Sequence, residues 1–364
     1  MFGIDMMPAA QGDCLWIEYG AANRPHRILV DGGTAATYDH LRARIMRLPE
    51  RDRHFDLLIV SHVDADHIEG VLMLFQDKTL KLSFDDIWFN DWKHLPKDLL
   101  GPGQGEMLAA ILERKKPWGA KLPWNRAFAR GPVQIVDDPT VDLPVRTLDG
   151  GMKLTLLSPT RNELARLAPY WKKEVLAAEF CPGDQKAALE LLARTPKLRP
   201  DALGPAIDVE AEAAKVFKKD TTRANGSSIA VLAEFDGSSV VLAADAHAPV
   251  LLKTLPRLPA RRRGGVDAFK LPHHGSKKNV STELVEAIPA EKYLFSSSGA
   301  VYHHPDVPAV CRVLLGNHGP IQLIFNYASV HNELWHHRDL LRDYRAAARY
   351  PDTTGPGLGI RVSL

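Results

Sequence analysis

An α/β layered fold is what this 364-residue sequence predicts, on three observations. Short apolar, β-branched runs alternate with segments of helical spacing. One pair of runs flanks Asp236-Gly237, a strong hairpin signal. Several runs stop at polar residues of metal-ligand type, and loops at strand ends are where a sheet scaffold gathers a site.

In chain order, residues 1–33 read as β structure. Cys14–Tyr19 and Arg27–Val30 are strand-like, with turn residues from Gly20 to Pro25 between them and Asp31-Gly32-Gly33 after the second. Tyr38–Leu48 has Leu41, Ile45 and Leu48 on one helical face, and Pro49 ends it. Phe55–Val60 is a buried strand, and Ile68–Phe75 a helix. From about 76 to 150 the pattern is weaker, with a helix at Gln104–Lys115 and an insertion implied. Lys153–Leu157 is a strand. Residues 161–220 read as a helical insertion: Glu163–Leu167, Trp171–Phe180, Gln185–Arg194 and Val209–Lys219 are its helices. Ser228–Phe235 and Ser239–Ala244 form the hairpin, which leads to Asp245-Ala246-His247. Ala268–Leu271 ends at Pro272-His273-His274-Gly275-Ser276, and Tyr293–Ser298 precedes Tyr302-His303-His304-Pro305. Ile321–Phe325 and Ile360–Leu364 are late strands, with a helix over Glu333–Ala348 between them.

The chemistry centres on Ser61-His62-Val63-Asp64-Ala65-Asp66-His67. Four potential ligands fall within six positions after a strand. Imidazole and carboxylate without thiolate suit Zn, Mn or Fe. The alternation can aim His62 and Asp64 one way and Asp66 and His67 another, which favours two adjacent metal sites.

Taken together and in order, Gln11-Gly12-Asp13, Asp31-Gly32-Gly33, His62-x-Asp64-x-Asp66-His67, Asn225-Gly226-Ser227-Ser228, Ala244-Asp245-Ala246, His273-His274-Gly275-Ser276 and Tyr302-His303-His304-Pro305 resemble the metallo-β-lactamase-fold hydrolases. Within them they resemble the branch containing the nuclease-like domain of ComEC-type competence proteins. The resemblance implies a four-layer αβ/βα sandwich and two divalent ions, Zn or Mn, mixed or with one site partly filled. It implies His62 and Asp64 at the first ion, Asp66 and His67 at the second, Asp245 bridging, and His274 at the second ion in preference to His273. Asp31 matches an aspartate that orients the site. Asp64 and Asn225 stand where many members carry histidine, so the first site is expected to hold its ion less tightly.

The reaction class so implied is hydrolysis by a metal-bridging hydroxide, most simply of a phosphodiester in nucleic acid or a nucleotide. Asp66 and His304 are the catalytic candidates, His304 for contacting the phosphate or protonating the leaving group. Two alternatives stand beside it: hydrolysis of a small ester or lactone on the same ligands, and a metal-binding effector whose 161–220 insertion contacts a protein partner. Composition is globular, with 45% hydrophobic and 25% charged residues. A net charge of +2 supplies no global basic field for a long polymer, and Arg261–Arg263 is a lone compact basic cluster. Cys14, Cys181 and Cys311 are too dispersed for a disulfide framework or a CxxC zinc site. No signal segment or membrane span is visible, so one cytoplasmic domain over 1–364 is expected.

Overall fold

The computed structural model describes residues 1–95, 103–113, 122–177, 207–336, 338–352 and 359–364. Fourteen strands are found among them: Phe2–Met6 (β1), Leu15–Ala21 (β2), Arg24–Val30 (β3), His54–Ile59 (β4), Ser83–Trp88 (β5), Val145–Thr147 (β6), Lys153–Ser158 (β7), Ala230–Phe235 (β8), Ser238–Leu242 (β9), Val266–Lys270 (β10), Ala290–Phe295 (β11), Ile321–Phe325 (β12), Ala346–Arg349 (β13) and Ile360–Ser363 (β14). They form a six-stranded sheet, β14-β1-β2-β3-β4-β5, and an eight-stranded one, β13-β12-β11-β10-β9-β8-β7-β6.

Period-two alternation sorts the first sheet's side chains. Leu15 pairs with Val30, Ile17 with Ile28, and Ile28 and Val30 with Leu57 and Ile59. All six lie in the core shared with the second sheet, through residues such as Leu154, Val231 and Val240. The intervening Trp16, Leu29 and Leu58 join a separate core with Tyr38–Met46 (α1), Ala65–Gln76 (α2) and Gly103–Glu113 (α3). In the second sheet β9, β10, β11 and β12 run parallel and follow one another in order. Right-handed crossovers between such strands put their helices on one face. Those helices, Ala248–Thr254, Thr282–Ala287 and Val307–Leu315, bury Leu251, Leu284 and Val310 in the same core as the sheet. The order helix, sheet, sheet, helix is thus the αβ/βα sandwich.

The local expectations hold where the signal is periodic. The Asp236-Gly237 turn has both residues at positive φ (49° and 86°), the conformation a two-residue hairpin of this hand needs. Elsewhere tertiary pairing overrides them. The first hairpin is tighter than expected, its strands reaching Ala21 and Arg24. The helix expected over Glu333–Ala348 breaks into Val330–Glu333 and Arg338–Asp343, and Ala346–Arg349 pairs parallel with β12 instead. An available strand edge outweighs the helical preference of alanine. The helix expected at Val209–Lys219 stops at Ala213. Arg161–Ala177 (α4) is one helix through Pro169, and its Leu164, Leu167, Ala168 and Trp171 pack into the core of α2 and α3. Its expected successor at Gln185–Arg194 lies outside the described residues. Within 76–150, β5 extends the first sheet and β6 is the edge strand of the second.

Three glycines let backbones touch where the sheets' ends meet the start of α2. A Cβ on Gly70 would lie 1.9 Å from Gly32 O, one on Gly32 2.4 Å from Val71 N, and one on Gly12 1.7 Å from Asp66 O. The contact is held by Gly32 N donating to His67 O and Gly70 N to Gly33 O, both 2.9 Å. Neither backbone can yield, so Gly70→Ala is expected to cost about 3 kcal/mol, the upper end of ordinary overpacking. Urea denaturation checks this; a loss below about 1 kcal/mol would mean that the contact relaxes freely.

Candidate metal centre

Parallel neighbours β3 and β4 in one sheet, and β9 and β10 in the other, end at the same place. After β3 comes Asp31, after β4 His62, after β9 Asp245, and after β10 His273 and His274. The 61–70 stretch is loop only at its start. Asp64 stands immediately before α2, and Asp66 and His67 lie in its first turn, where acidic groups suit the helix dipole. The turns are sharp. Asp31, Ala244, His273 and His274 have φ of 58°, 47°, 50° and 57°. Each left-handed non-glycine residue costs on the order of 1–3 kcal/mol, a cost the surrounding packing must offset.

Four imidazoles converge on one carboxylate. His67 Nε2 lies 3.4 Å and His274 Nε2 3.5 Å from Asp245 Oδ1. His62 Nε2 lies 3.9 Å and His273 Nε2 3.7 Å from Asp245 Oδ2. Asp66 Oδ2 is 3.6 Å from His274 Nε2, and Asp64 Oδ2 is 3.6 Å from His62 Nε2. The arrangement therefore has two halves, each with two imidazoles and one terminal aspartate, sharing Asp245. His273 and His274 do not compete for one position; they face opposite oxygens of Asp245.

The far nitrogen of each ring faces a protein oxygen. His67 Nδ1 donates to Asp31 Oδ2 at 2.8 Å. Ser61 Oγ donates to Asp31 at 2.6 Å, which leaves it to accept from His62 Nδ1 at 3.0 Å. His273 Nδ1 faces Asn279 Oδ1 at 3.0 Å, and His274 Nδ1 faces Asp13 Oδ1 at 3.4 Å. With Nδ1 carrying the proton, every Nε2 presents its lone pair inward, the tautomer a metal ligand requires. His67 and His274 bring their Nε2 atoms within 3.2 Å of each other, a repulsive pairing unless a cation or proton lies between. His62 Nε2 and Asp245 Oδ1 are buried with no hydrogen-bond partner. These orphaned atoms and the nitrogen–oxygen donor set fit divalent ions of the Zn or Mn class.

Asn225, expected at the first ion, commits its amide nitrogen to Asp220 and keeps a buried Oδ1 without a hydrogen-bond partner. Its Nδ2 donates to Asp220 Oδ2 at 2.7 Å and lies 3.1 Å from His273 Nδ1. His273 lies beside His62 at Asp245 Oδ2, so each half presents two imidazoles and one terminal aspartate. Two residues were not legible as parts of the site. Asp220 lies 3.5 Å from His273 Nδ1 and binds Asn225 and Asn279. Asp13, within the Gln-Gly-Asp motif, has a ligand-type oxygen within 4.8 Å of those of His67, Asp245 and His274. The motif itself was the available signal.

His304 sits beside the first half, its ring centre 5.2 Å from that of His273, with Nδ1 3.3 Å from Asp306. Burial pushes its pKa down, Asp306 opposes, and the His273 and His274 rings push further down. Tyr302 is exposed nearby, its ring centre 6.3 Å from that of His304. Outside the centre, His247 Nε2 bonds Thr222 O at 2.9 Å and His303 packs at a tilt against His331, ring centres 4.8 Å apart.

No family model and no curated protein matches the chain. Among solved structures, a point mutant of the CmlA beta-hydroxylase aligns with 100% of this chain and 54% of its own at 13% identity and a TM-score of 0.42. CmlA, a diiron beta-hydroxylase from Streptomyces venezuelae, gives 14%, 0.39 and the same coverages. Zn(2+)-bound PqqB from Methylobacterium extorquens aligns over 100% of both chains at 10% identity and a TM-score of 0.40. The chain spans about half the length of the CmlA chains. At these identities and scores the likenesses assign neither family nor activity.

The carboxylates make the metal-free site hold protons. Burial alone would lower His273, but Asp245, with Asp220 and Asn279, raises it from 6.5 to about 9. Burial likewise opposes, and Asp245, Asp31 and Asp66 prevail, in raising His67 well above its ordinary value. A raised folded-state value stabilises fully below the unfolded value and is lost as pH climbs through the folded one. Metal-free protein is therefore expected to lose stability between about pH 6.5 and about 9. Excess Zn should remove that loss, because ligation requires the neutral rings. Denaturation curves across this window, with and without Zn, check it; equal pH profiles would contradict it.

Proposed function

We propose that this chain is a dinuclear metal-dependent hydrolase of the metallo-β-lactamase fold that cleaves phosphodiesters. The observation that carries the proposal is the pairing of four inward Nε2 atoms, two on each oxygen of Asp245. His62, His273 and Asp64 would hold one ion, His67, His274 and Asp66 the other, with Asp245 between. Ions so held supply a low-pKa water and charge for phosphoryl oxygens. The chain's own residues orient the groups around them: Asp31 and Ser61 fix His67 and His62, and Asp220 and Asn279 fix His273.

The likeness of the ordered motifs to the ComEC-type branch favours phosphodiesters over acyl esters. His304 supports the same choice. It lies next to the Oδ2 half, held low by burial, and an anionic substrate beside it would draw a proton onto the ring. It is then placed to protonate a leaving oxygen. The substrate class is a nucleotide or short strand. The helix Ala260–Arg263 precedes β10, at the strand end opposite His273. Arg262 is moreover paired with Glu234 at 2.7 Å, and Lys277 with Asp306 at 3.1 Å.

The test is turnover of bis(p-nitrophenyl) phosphate, p-nitrophenyl acetate and a lactone by Mn- or Zn-loaded protein. The diester is expected to be the substrate, with Asp245→Ala inactive and unable to retain two ions. His304→Gln should lower kcat about 100-fold with metal content unchanged, the size of a lost general acid. Turnover of the acyl ester or lactone alone, or wild-type rates from Asp245→Ala, would overturn the proposal.

A further inference from the structure

We propose that the ion pair between Asp13 and Lys270 is the positioning device for His274, and that Lys270 is what keeps Asp13 from ligating metal itself. This rests on the metal-binding part of the function proposed above and not on the reaction. Asp13 belongs to the connection between β1 and β2, and Lys270 is the last residue of β10, so the pair joins the two sheets. Both side chains are buried, at 1% and 0% exposure. Asp13 Oδ2 pairs with Lys270 Nζ, which also donates to Ala244 O at 3.3 Å, next to Asp245. Asp13 Oδ1 faces His274 Nδ1 at 3.4 Å, and neither of these two buried atoms has a hydrogen-bond partner, so each is the polar group left for the other.

The backbone of Asp13 is itself clamped. Its carbonyl accepts from Gly33 N at 2.7 Å, and the preceding Gly12 O accepts from Ser296 Oγ at 2.8 Å. The absent Cβ of Gly12 lets this segment lie against Asp66 O. Asp13 is therefore held at a fixed place, close enough to His67, Asp245 and His274 to be a ligand by distance alone. What directs its charge away from an ion is the ammonium group beside it. The same design is seen on the neighbouring ring: Asp31 receives Ser61 N–H and Oγ–H and gives its remaining capacity to His67 Nδ1. Each histidine of the Oδ1 half thus has its own buried carboxylate, and each carboxylate its own donor. A carboxylate on the far nitrogen fixes the tautomer and raises the basicity of the ligating one.

The test uses full-length protein, with Zn bound per chain measured after dialysis against buffered free Zn, and Co(II) absorption as a coordination probe. The double variant Asp13→Leu/Lys270→Met removes both charges together, which usually leaves stability intact, whereas a single deletion strands a buried charge. It is expected to keep one Zn at wild-type affinity and bind the other about 10–100-fold more weakly, as for other losses behind a ligating histidine. Asp13→Asn/Lys270→Met, which keeps an acceptor for His274 Nδ1, should regain much of that affinity. Lys270→Met alone releases Asp13 toward the ion and should change the Co(II) spectrum. Two Zn at wild-type affinity in the Leu/Met variant, or a wild-type Co(II) spectrum in Lys270→Met, would overturn the proposal. Failure of phosphodiester turnover leaves these metal counts untouched, so the two proposals fail separately.

Discussion

A single buried carboxylate, Asp245, sets the terms for the rest of the molecule. It is almost wholly out of water, and an anion there is tolerated only with compensating charge or hydrogen bonds. Burial would raise its pKa; the imidazoles of His274, His67 and His273 instead hold it well below the usual carboxylate range. In the absence of an ion His67 and His273, both raised, compensate as cations, and with ions bound the metal would take over the same charge. The surrounding structure presents opposite halves to the two oxygens. Four rings must arrive from two segments, His62 and His67 from the stretch after β4 in one sheet and His273 and His274 from the turn after β10 in the other, so the meeting of the sheets is a condition of the site.

That meeting is achieved with backbone rather than side-chain adjustment. Glycines 12, 32 and 70 allow main chain to lie on main chain beside the first turn of α2. Left-handed residues at 31, 244, 273 and 274 turn the chain at each strand end. Both devices are unfavourable or unremarkable locally and acquire their value only when the two sheets are packed. They also make the site stiff: a ligand on such a turn cannot swing without unpacking the strand behind it. Around this inner arrangement lies a ring of acceptors, Asp31, Asp13, Ser61 and Asn279, that decides where each imidazole proton resides.

Much of the fold was legible because its signals are local. The Asp236-Gly237 turn, the buried runs ending at Val60 and Leu271, and the helical face of Leu41 and Ile45 are each written in a few consecutive residues. Strand β13 was not legible, since Ala346–Arg349 is extended only by its pairing with β12. Nor was the length of α2, because a ligand loop and the first turn of a helix look alike when both are polar. Within the centre, the ligand types were readable, but Asp220 and Asp13 were not, since one is distant in sequence from every ligand and the other lies in a motif with no ligand spacing.

The residue types by themselves pointed to a nitrogen–oxygen donor cluster of the metal-binding kind at the ends of strands, because such a cluster makes use of His62, Asp64, Asp66, His67, Asp245 and a histidine pair together. The tertiary structure decided how the centre is divided. Asn225 looked like a missing ligand, and the first half consequently looked weak. Packing commits the Nδ2 of Asn225 to Asp220, while consecutive left-handed residues send His273 and His274 to different oxygens of Asp245. Which nitrogen faces which oxygen depends on the direction of a backbone turn and on the neighbour that holds the opposite ring edge, and both are fixed only when the two sheets close on each other.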